Sequence, residues 1–291
     1  MNQPVHSIPT LHANSRRDHS MGFILQELGK LTSGEVEHVL RLQKELGARF
    51  GETAYRLGLI SDEDIRQALA QQFGYPILSP GQGGYPEEMT AIYQPFGAQA
   101  EMLRAVRGEL MLRWFDAGRR SLVVAGIGSG DGTSFFAANL AVVFSQLGKQ
   151  TLLIDANLRQ PRQHQIFKLK GRNGLSDMLV DRAGLETIAR VEHFPDLSVL
   201  PCGTVPPNPQ ELVSHASFAE LVETLASRFE IVLFDVSAFS TGVDAITVAA
   251  RAGGALLVAR KAHTRLADAN AIGQRLCRNG SEVVGSVLLD F

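Results

Sequence analysis

Residues 126–134, with the sequence GIGSGDGTS, have the composition and spacing of a loop that binds phosphate. The loop follows an apolar run, SLVVAG, and precedes a helical pattern, FFAANLAVVFSQLG. Glycines let backbone N–H groups approach an anion closely, and the positive end of the following helix favours negative charge. Ser134 stands where such loops hold Mg²⁺ through a hydroxyl. The candidate nucleotide-binding residues are Gly130, Asp131, Gly132, Thr133 and Ser134.

Thr133 stands where a phosphate-binding loop usually has the lysine that reaches the β- and γ-phosphates. Loss of that charge-assisted contact costs roughly 1.5–3 kcal/mol. If the lysine acts on the transition state, the rate falls by about 10²–10³-fold. Backbone amides and Mg²⁺ still offer weak nucleotide binding, and Arg159 and Arg260 are candidate replacement cations that the sequence leaves unranked. We expect slow turnover at best.

Two aspartates end apolar strand patterns farther along the chain. Asp155 closes TLLID, and Asp235 closes EIVLFD at the position of a Walker B aspartate. Because the carboxyl ends of parallel strands meet at one edge of a sheet, both carboxylates should lie beside the phosphates. Ser134, Asp155 and Asp235 are therefore the candidate Mg²⁺ ligands. Asp155, Asp235 and Arg159 are the candidate catalytic residues.

From residue 121 onward, short apolar runs alternate with helical segments. The runs are SLVVAG, TLLIDA, LSVLPC, EIVLFDV, GALLVAR and EVVGSVLL. This alternation predicts an α/β fold, a P-loop NTPase-like parallel sheet covered by helices on both faces, over residues 98–291. An amphipathic helix is predicted at 98–115. Residues 74–97 hold four prolines and five glycines, which predicts a linker.

The N-terminal region contains an internal repeat. Residues 20–43 align with 49–72, so that Gly29 matches Gly58. Each copy predicts a helix, a glycine turn and a second helix capped by a serine (Ser33 or Ser61). The sequence therefore predicts a small all-helical domain at 20–73, preceded by a polar, disordered segment at 1–19.

Composition restricts the partners. The net charge of −2 and a pI near 6.5 leave no electrostatic footprint for a nucleic acid polymer. The first twenty residues contain no apolar signal segment, and no run approaches the roughly 20 apolar residues of a membrane helix. We expect a cytoplasmic protein that reaches the inner membrane only through a partner.

Three further motifs resemble the bacterial tyrosine autokinases of exopolysaccharide biosynthesis. They are LLIDANLRQP, VPPNPQELV at 205–213 and EMLRAVRGEL at 101–110. The resemblance implies ATP and Mg²⁺ as cofactors, and a membrane chain-length determinant as partner. It also implies a homo-oligomeric ring packed through the E-x-x-R-x-x-R helix, that is Glu101, Arg104 and Arg107.

The repeat resembles the N-terminal domains of type II secretion ATPases that bind cyclic di-GMP. The resemblance implies that Arg49, Gln43 and Gln72 contact this dinucleotide. The first copy opens with Ser20 where the motif has arginine, and Arg16 and Arg17 are nearby substitutes.

The departures from the kinase pattern leave three interpretations open. Asn157 replaces the second acidic residue of the family's D-x-D-x-R, and every tyrosine precedes the kinase-like domain. In the first interpretation the protein is an active autokinase, with Asp155 as base and Tyr85 or Tyr93 as acceptor. In the second it is a degenerate kinase, an adaptor that senses nucleotide or cyclic di-GMP and gates a membrane polysaccharide co-polymerase. The third, a partitioning-type ATPase, is disfavoured by the acidic pI.

Overall fold

The computed structural model describes residues 20–72, 78–79 and 81–290. The chain forms two compact units, Met1–Ile77 and Leu78–Phe291. The segment 1–19 predicted to be disordered, with Arg16 and Arg17, lies outside the described residues, as does Tyr75.

The first unit contains the two predicted helical hairpins. Gly29 and Gly58 occupy equivalent turns with φ of 67° and 68°, a left-handed conformation that glycine adopts without strain. Apolar residues from both hairpins pack into one small core, in which Leu25 and Val39 are fully buried. The helices are α1 (Met21–Glu27), α2 (Ser33–Leu46), α3 (Phe50–Arg56) and α4 (Asp62–Gln72).

The cap of α2 differs from the prediction by one residue. Thr32, not Ser33, accepts the N–H of Glu35, and the Glu35 carboxylate accepts the N–H of Thr32 at 2.7 Å. This reciprocal pair satisfies two backbone donors at the helix start. In the second hairpin Ser61 pairs with Asp64 in the same way, as predicted.

The second unit is built on a seven-stranded sheet with the order β3-β4-β2-β5-β1-β6-β7. Every pairing is parallel except that of β3 with β4. The sequence patterns predicted six of the strands and missed β3, a three-residue strand at the edge. The strands are β1 (Ser121–Gly126), β2 (Thr151–Ala156), β3 (Ala189–Val191), β4 (Phe194–Leu200), β5 (Ile231–Val236), β6 (Gly254–Arg260) and β7 (Glu282–Leu289).

Helices cover both faces of this sheet, as predicted. Alternate strand residues enter two separate cores: Leu122 and Val124 of β1 face one, and Val123 and Ala125 face the other. The first core also takes side chains from α5 (Thr90–Tyr93), α6 (Ala98–Leu110), α7 (Thr133–Ser145) and α8 (Gln163–Ile166). The second takes them from α9 (Leu175–Met178), α10 (Pro209–Ser214), α11 (Ala216–Arg228), α12 (Asp244–Ala252) and α13 (Leu266–Arg278).

Residues 78–97, predicted as part of a linker, belong to the second unit. Met89 and Ile92 are fully buried in the first core of the sheet domain. Asn139 of α7 holds the segment in place: its Oδ1 accepts the N–H of Ala91 at 2.9 Å, and its Nδ2 donates to the carbonyl of Glu88 at 2.9 Å. Proline and glycine shape the turns here, but the apolar residues between them bury against α7. The linker prediction is therefore corrected for these residues.

Candidate functional site

Two buried carboxylates form the centre of the site. Asp155 on β2 and Asp235 on β5 are direct neighbours in the parallel register, and both side chains are inaccessible to solvent. Continuous apolar runs place β2 and β5 in the middle of the sheet, so the residues that end them come together at its carboxyl edge. The structure thus places side by side the two aspartates that the sequence predicts at this edge.

Each carboxylate has one bonded and one unpartnered oxygen. Oδ2 of Asp155 accepts the backbone N–H groups of Arg162 at 3.0 Å and Gln163 at 2.9 Å. Oδ2 of Asp235 accepts Nε2 of Gln163 at 2.7 Å, and the Ser134 side chain lies beside this carboxylate. Oδ1 of both aspartates is buried with no hydrogen-bond partner among the described residues. Such atoms are costly unless a ligand completes them.

The pair resists double ionisation. Burial, and next the charge of Asp235, raise the pKa of Asp155 well above its ordinary value, against the backbone hydrogen bonds that lower it. Burial raises the pKa of Asp235 to about 6, while bonds from Gln163 and Ser134 and the charge of Arg162 act in the opposite direction. A cation at this edge would favour the ionised form of both groups.

The predicted phosphate loop connects β1 to α7 beside this pair. Gly130 and Gly132 have φ of 86° and 76°, which turn the backbone toward the start of the helix. The loop borders a cleft of about 270 Å³. All five loop residues predicted to bind nucleotide line the cleft: Gly130, Asp131, Gly132, Thr133 and Ser134.

Asp131 braces the loop through its side chain. Its fully buried carboxylate accepts the N–H of Gly128 at 2.7 Å and the hydroxyl of Thr264 at 3.2 Å. The ring of His263 completes the cluster at 3.1 Å. These contacts tie the carboxylate to the loop base and to the segment after β6. Asp131 therefore shapes the site, and its direct role toward phosphate stays a prediction.

Thr133 and Asn157, which depart from the kinase pattern, and Arg159, which keeps it, all have contacts within the domain. The Thr133 hydroxyl lies so close to Gly126 that a Cβ at Gly126 would collide with it. Asn157 accepts the N–H of Gln160 at 3.1 Å. Arg159 lines the cleft, but its Nε donates to the carboxylate of the buried Asp244 at 2.6 Å. The catalytic role predicted for Arg159 remains a prediction.

Sequence reasoning missed Gln163 and Arg162. The fully buried Gln163 side chain donates both to Asp235 and to the carbonyl of Ser134, at 3.0 Å, and so joins loop and strand. The guanidinium of Arg162 lies 5.4 Å above the ring of Phe135 and lines the cleft. Both follow Pro161 in a polar segment, and no periodicity or motif marks them in the sequence.

The donors present fit Mg²⁺. Mg²⁺ binds oxygen ligands, commonly one or two carboxylates completed by phosphates and water. Asp155 and Asp235 each offer an unpartnered Oδ1, and the Ser134 side chain lies beside the carboxylate of Asp235. Nowhere in the described ranges do three or more His, Cys, Asp or Glu residues gather in a way that could hold a metal without such a ligand. The arrangement therefore suits a metal that arrives together with phosphate oxygens.

The predicted oligomerisation residues lie on α6. Arg104 forms an ion pair with Glu101 at 2.6 Å on the same helix. Arg107 donates to the carbonyl of Val143 in α7 at 2.6 Å. Their role between subunits stays a prediction.

The predicted cyclic di-GMP residues lie in the first unit. Arg49 precedes α3 and is exposed, and Gln72 is exposed at the end of α4. Gln43 on α2 is half-buried, with its Oε1 buried and unpartnered within the described residues. Their ligand role stays a prediction.

The structure contradicts Tyr85 as an accessible phosphate acceptor. Its side chain is only 8% exposed, and burial raises the pKa of its hydroxyl. The hydroxyl of Tyr93, half-buried, donates to the carbonyls of Gln82 and Tyr85.

The chain is similar to known proteins over more than half of its length. Residues 119–275, more than half of the chain, match the family model "Cellulose biosynthesis protein BcsQ". Tyrosine-protein kinase YwqD of Bacillus subtilis is 32% identical over 198 residues, which are 68% of this chain and 84% of YwqD. Tyrosine-protein kinase Wzc of Salmonella typhi is 32% identical over 201 residues, 69% of this chain. The match spans only 28% of Wzc.

A solved structure gives the same result for the fold. The kinase domain of the Escherichia coli tyrosine kinase ETK superposes with a TM-score of 0.67 at 28% identity. The superposition covers 69% of this chain and 79% of that domain. The sheet domain therefore has the predicted P-loop NTPase-like fold. No helix in the described part of the chain combines the length and apolar character that a membrane crossing requires.

Proposed function

The chain belongs to the bacterial tyrosine-protein kinases, with a P-loop domain of the BcsQ family, and on this premise we propose that it binds ATP with Mg²⁺ as a tyrosine-autokinase-like regulator of exopolysaccharide synthesis. Several relatives are named as tyrosine-protein kinases, and one, from Klebsiella pneumoniae, is named as a putative tyrosine-protein kinase in a cps region. The regulated steps in this proposal are polymer chain length and export. The partner is a membrane chain-length determinant, which would bring a cytoplasmic protein to the inner membrane.

One observation carries the proposal: the glycine loop and Ser134 line one cleft, and the buried Asp155–Asp235 pair adjoins Ser134 at the carboxyl edge of the sheet. Loop N–H groups and the start of α7 attract phosphate oxygens there. The orphaned Oδ1 atoms of the pair need a cation or a proton. A complex of a metal ion with a nucleotide would supply both the phosphate oxygens for the loop and the cation for the two Oδ1 atoms.

Ser134, Asp155 and Asp235 would hold Mg²⁺, and the ion would neutralise charge on the phosphates. The loop backbone orients the phosphates. Gln163 fixes the Asp235 carboxylate, which keeps the remaining oxygen pointed away from the amide. Asp155 is also the candidate acceptor for a tyrosine hydroxyl proton.

Calorimetric titration with ATP tests the proposal. The full chain should bind ATP in the micromolar range with Mg²⁺ and more weakly in EDTA. Ser134→Ala should weaken the Mg²⁺-dependent part, because it removes one oxygen donor. Ser217→Ala, an exposed serine on α11, is the matched control and should bind as the wild type. Absence of heat at millimolar nucleotide would refute nucleotide binding.

A second candidate function is a non-catalytic adaptor that gates a membrane polysaccharide co-polymerase. Thr133 in the lysine position and the burial of Tyr85 favour it over an active autokinase. Incubation with Mg-ATP and a membrane activator, followed by phosphotyrosine detection, separates the two. Phosphotyrosine that disappears in Asp155→Ala supports the kinase. Nucleotide binding without phosphotyrosine supports the adaptor.

Cyclic di-GMP is the alternative ligand of this adaptor, held by Arg49, Gln43 and Gln72. The buried, unpartnered Oε1 of Gln43 is the observation that favours a ligand in the first unit. Titration of the full chain with cyclic di-GMP tests it, with Arg49→Ala as the variant that should lose binding. No heat up to high micromolar ligand would end this part of the proposal.

A further inference from the structure

The loop itself presents no cation to the cleft. Thr133 begins α7 and its hydroxyl is turned against Gly126. A threonine is neutral and too short to reach the outer phosphates as a lysine does. If the cleft binds a nucleotide polyphosphate, the missing charge has to come from another element.

Two of the arginines after β2 line the cleft, and they differ in their partners. The Nε of Arg159 donates to Asp244 at 2.6 Å, so a carboxylate already neutralises its charge. For Arg162 no carboxylate lies within ion-pair distance among residues 20–72, 78–79 and 81–290. Of the two, Arg162 holds the charge that a ligand could use. Arg260, the other candidate from the sequence, ends β6, and its backbone N–H bonds to the Thr264 hydroxyl.

The base of Arg162 is fixed and its tip is adaptable. Its backbone N–H donates to Oδ2 of Asp155 at 3.0 Å, which anchors the residue to the acidic pair. Its guanidinium stacks at 5.4 Å on Phe135, the residue directly after Ser134. The side chain is exposed on the cleft wall, so it can move toward a ligand without breaking an ion pair.

We propose that Arg162 supplies to a bound nucleoside triphosphate the positive charge that the loop lacks at Thr133. This inference rests on the proposed nucleotide binding and deepens it. An arginine from the segment after β2 then replaces a lysine from the loop, and its planar fork can contact two phosphate oxygens together. In this arrangement Arg162 binds phosphate, and Arg159 organises the cleft wall through Asp244.

A charge-relocation experiment tests this assignment. Calorimetry with Mg-ATP on the full chain compares the wild type with Arg162→Gln, Thr133→Lys and the double variant. Arg162→Gln should weaken binding by about 10–100-fold, the usual range for a lost charged contact. Thr133→Lys in the Arg162→Gln background should restore most of the affinity, because the charge returns from the loop side. Arg190→Gln, an exposed arginine on β3, is the matched control and should bind as the wild type.

The outcomes separate this inference from the proposed function. Wild-type affinity in Arg162→Gln would overturn the role of Arg162 and leave nucleotide binding standing. If Arg162→Gln loses affinity and Thr133→Lys does not restore it, the proposed role of Arg162 is also wrong. That result would mean that Arg162 supports the structure of the cleft, because a lysine in the loop can replace a lost charge but not a lost structural contact. A wild-type chain that binds no Mg-ATP would overturn both. Arg162→Lys provides a second variant, which should retain more affinity than the glutamine variant.

Discussion

Neutralising Asp235 should stabilise the protein in the absence of metal and nucleotide. Burial holds the pKa of Asp235 at about 6, against 3.8 as its ordinary value. The folded state therefore binds the proton more tightly than the unfolded state, and folding becomes less favourable as the pH rises through this window. The difference of about two pKa units corresponds to roughly 3 kcal/mol at pH 8. Asp235→Asn removes the titrating group, and Gln163 can still donate to the amide oxygen.

The pH dependence distinguishes this mechanism from a general packing effect. The gain in unfolding free energy should be about 3 kcal/mol at pH 8, about half of that at pH 5, and small at pH 4. For a unit of this size, 3 kcal/mol corresponds to roughly 6–12 °C in Tm. Urea unfolding and calorimetry in EDTA measure both quantities.

A second buried aspartate provides the control. Asp244 is 3% exposed, like Asp235 almost without solvent contact, but it is paired with Arg159. Asp244→Asn leaves that guanidinium without its partner, so it should lower the stability rather than raise it. If Asp235→Asn destabilises the protein at pH 8, or changes stability equally at pH 5 and pH 8, the reasoning from burial is wrong.

Three further substitutions test the fold. Gly174→Ala should lower the unfolding free energy by about 1–3 kcal/mol, because the new Cβ would collide with the backbone of residues 201–203. Gly171→Ala is the control, since no atom lies near its Cβ position, and it should change the unfolding free energy little. Urea titration measures both variants. Trp114→Phe should cost about 1–3 kcal/mol by circular dichroism, since its indole donates at 2.9 Å to a buried carbonyl of β1. Thr32→Ala should lower the stability of the first unit by about 0.5–2 kcal/mol, because Thr32 caps α2. Ser33→Ala should lower it clearly less. Equal losses in the two variants would contradict Thr32 as the cap.

Most of the sheet could be predicted because its strands are buried on both faces. Such strands have uninterrupted apolar sequences, which can be recognised without the structure. Because the strands are parallel, the aspartates that end two of them must lie at the same carboxyl edge of the sheet. The edge strand β3 carries no such run. The segment 78–97 could not be predicted correctly, because its prolines and glycines indicate turns, whereas the burial of Met89 and Ile92 depends on packing against α7, where the distant Asn139 bonds to Ala91.

The polar half of the site could be predicted only in part. Asp155, Asp235 and Ser134 carry motif spacing, so local sequence identifies them. Gln163 and Arg162 act through contacts across 72 residues or through stacking on another helix, and nothing in their own neighbourhood encodes these contacts. A long polar side chain in a loop looks the same in sequence whether it is solvated or bonded to a buried carboxylate.

The charges around the cleft fit a site in which the positive charge for the phosphates comes from the segment after β2 and not from the loop. Asp155 and Asp235 share a buried edge of the sheet beside the cleft, Arg159 is neutralised by Asp244, and Arg162 has no carboxylate partner within the described ranges. A divalent cation would offset the two aspartates, and the phosphates would then meet Arg162 instead of a loop lysine. Without these ligands the acidic pair costs stability, because Gln163 donates to Oδ2 of each aspartate while both Oδ1 atoms have no partner among the described residues. The same arrangement of charges underlies two of the predictions. Asp235→Asn should raise the stability because it removes a buried negative charge that only a metal ion would compensate. Arg162→Gln should lower the affinity for nucleotide because it removes the positive charge that would contact the phosphates.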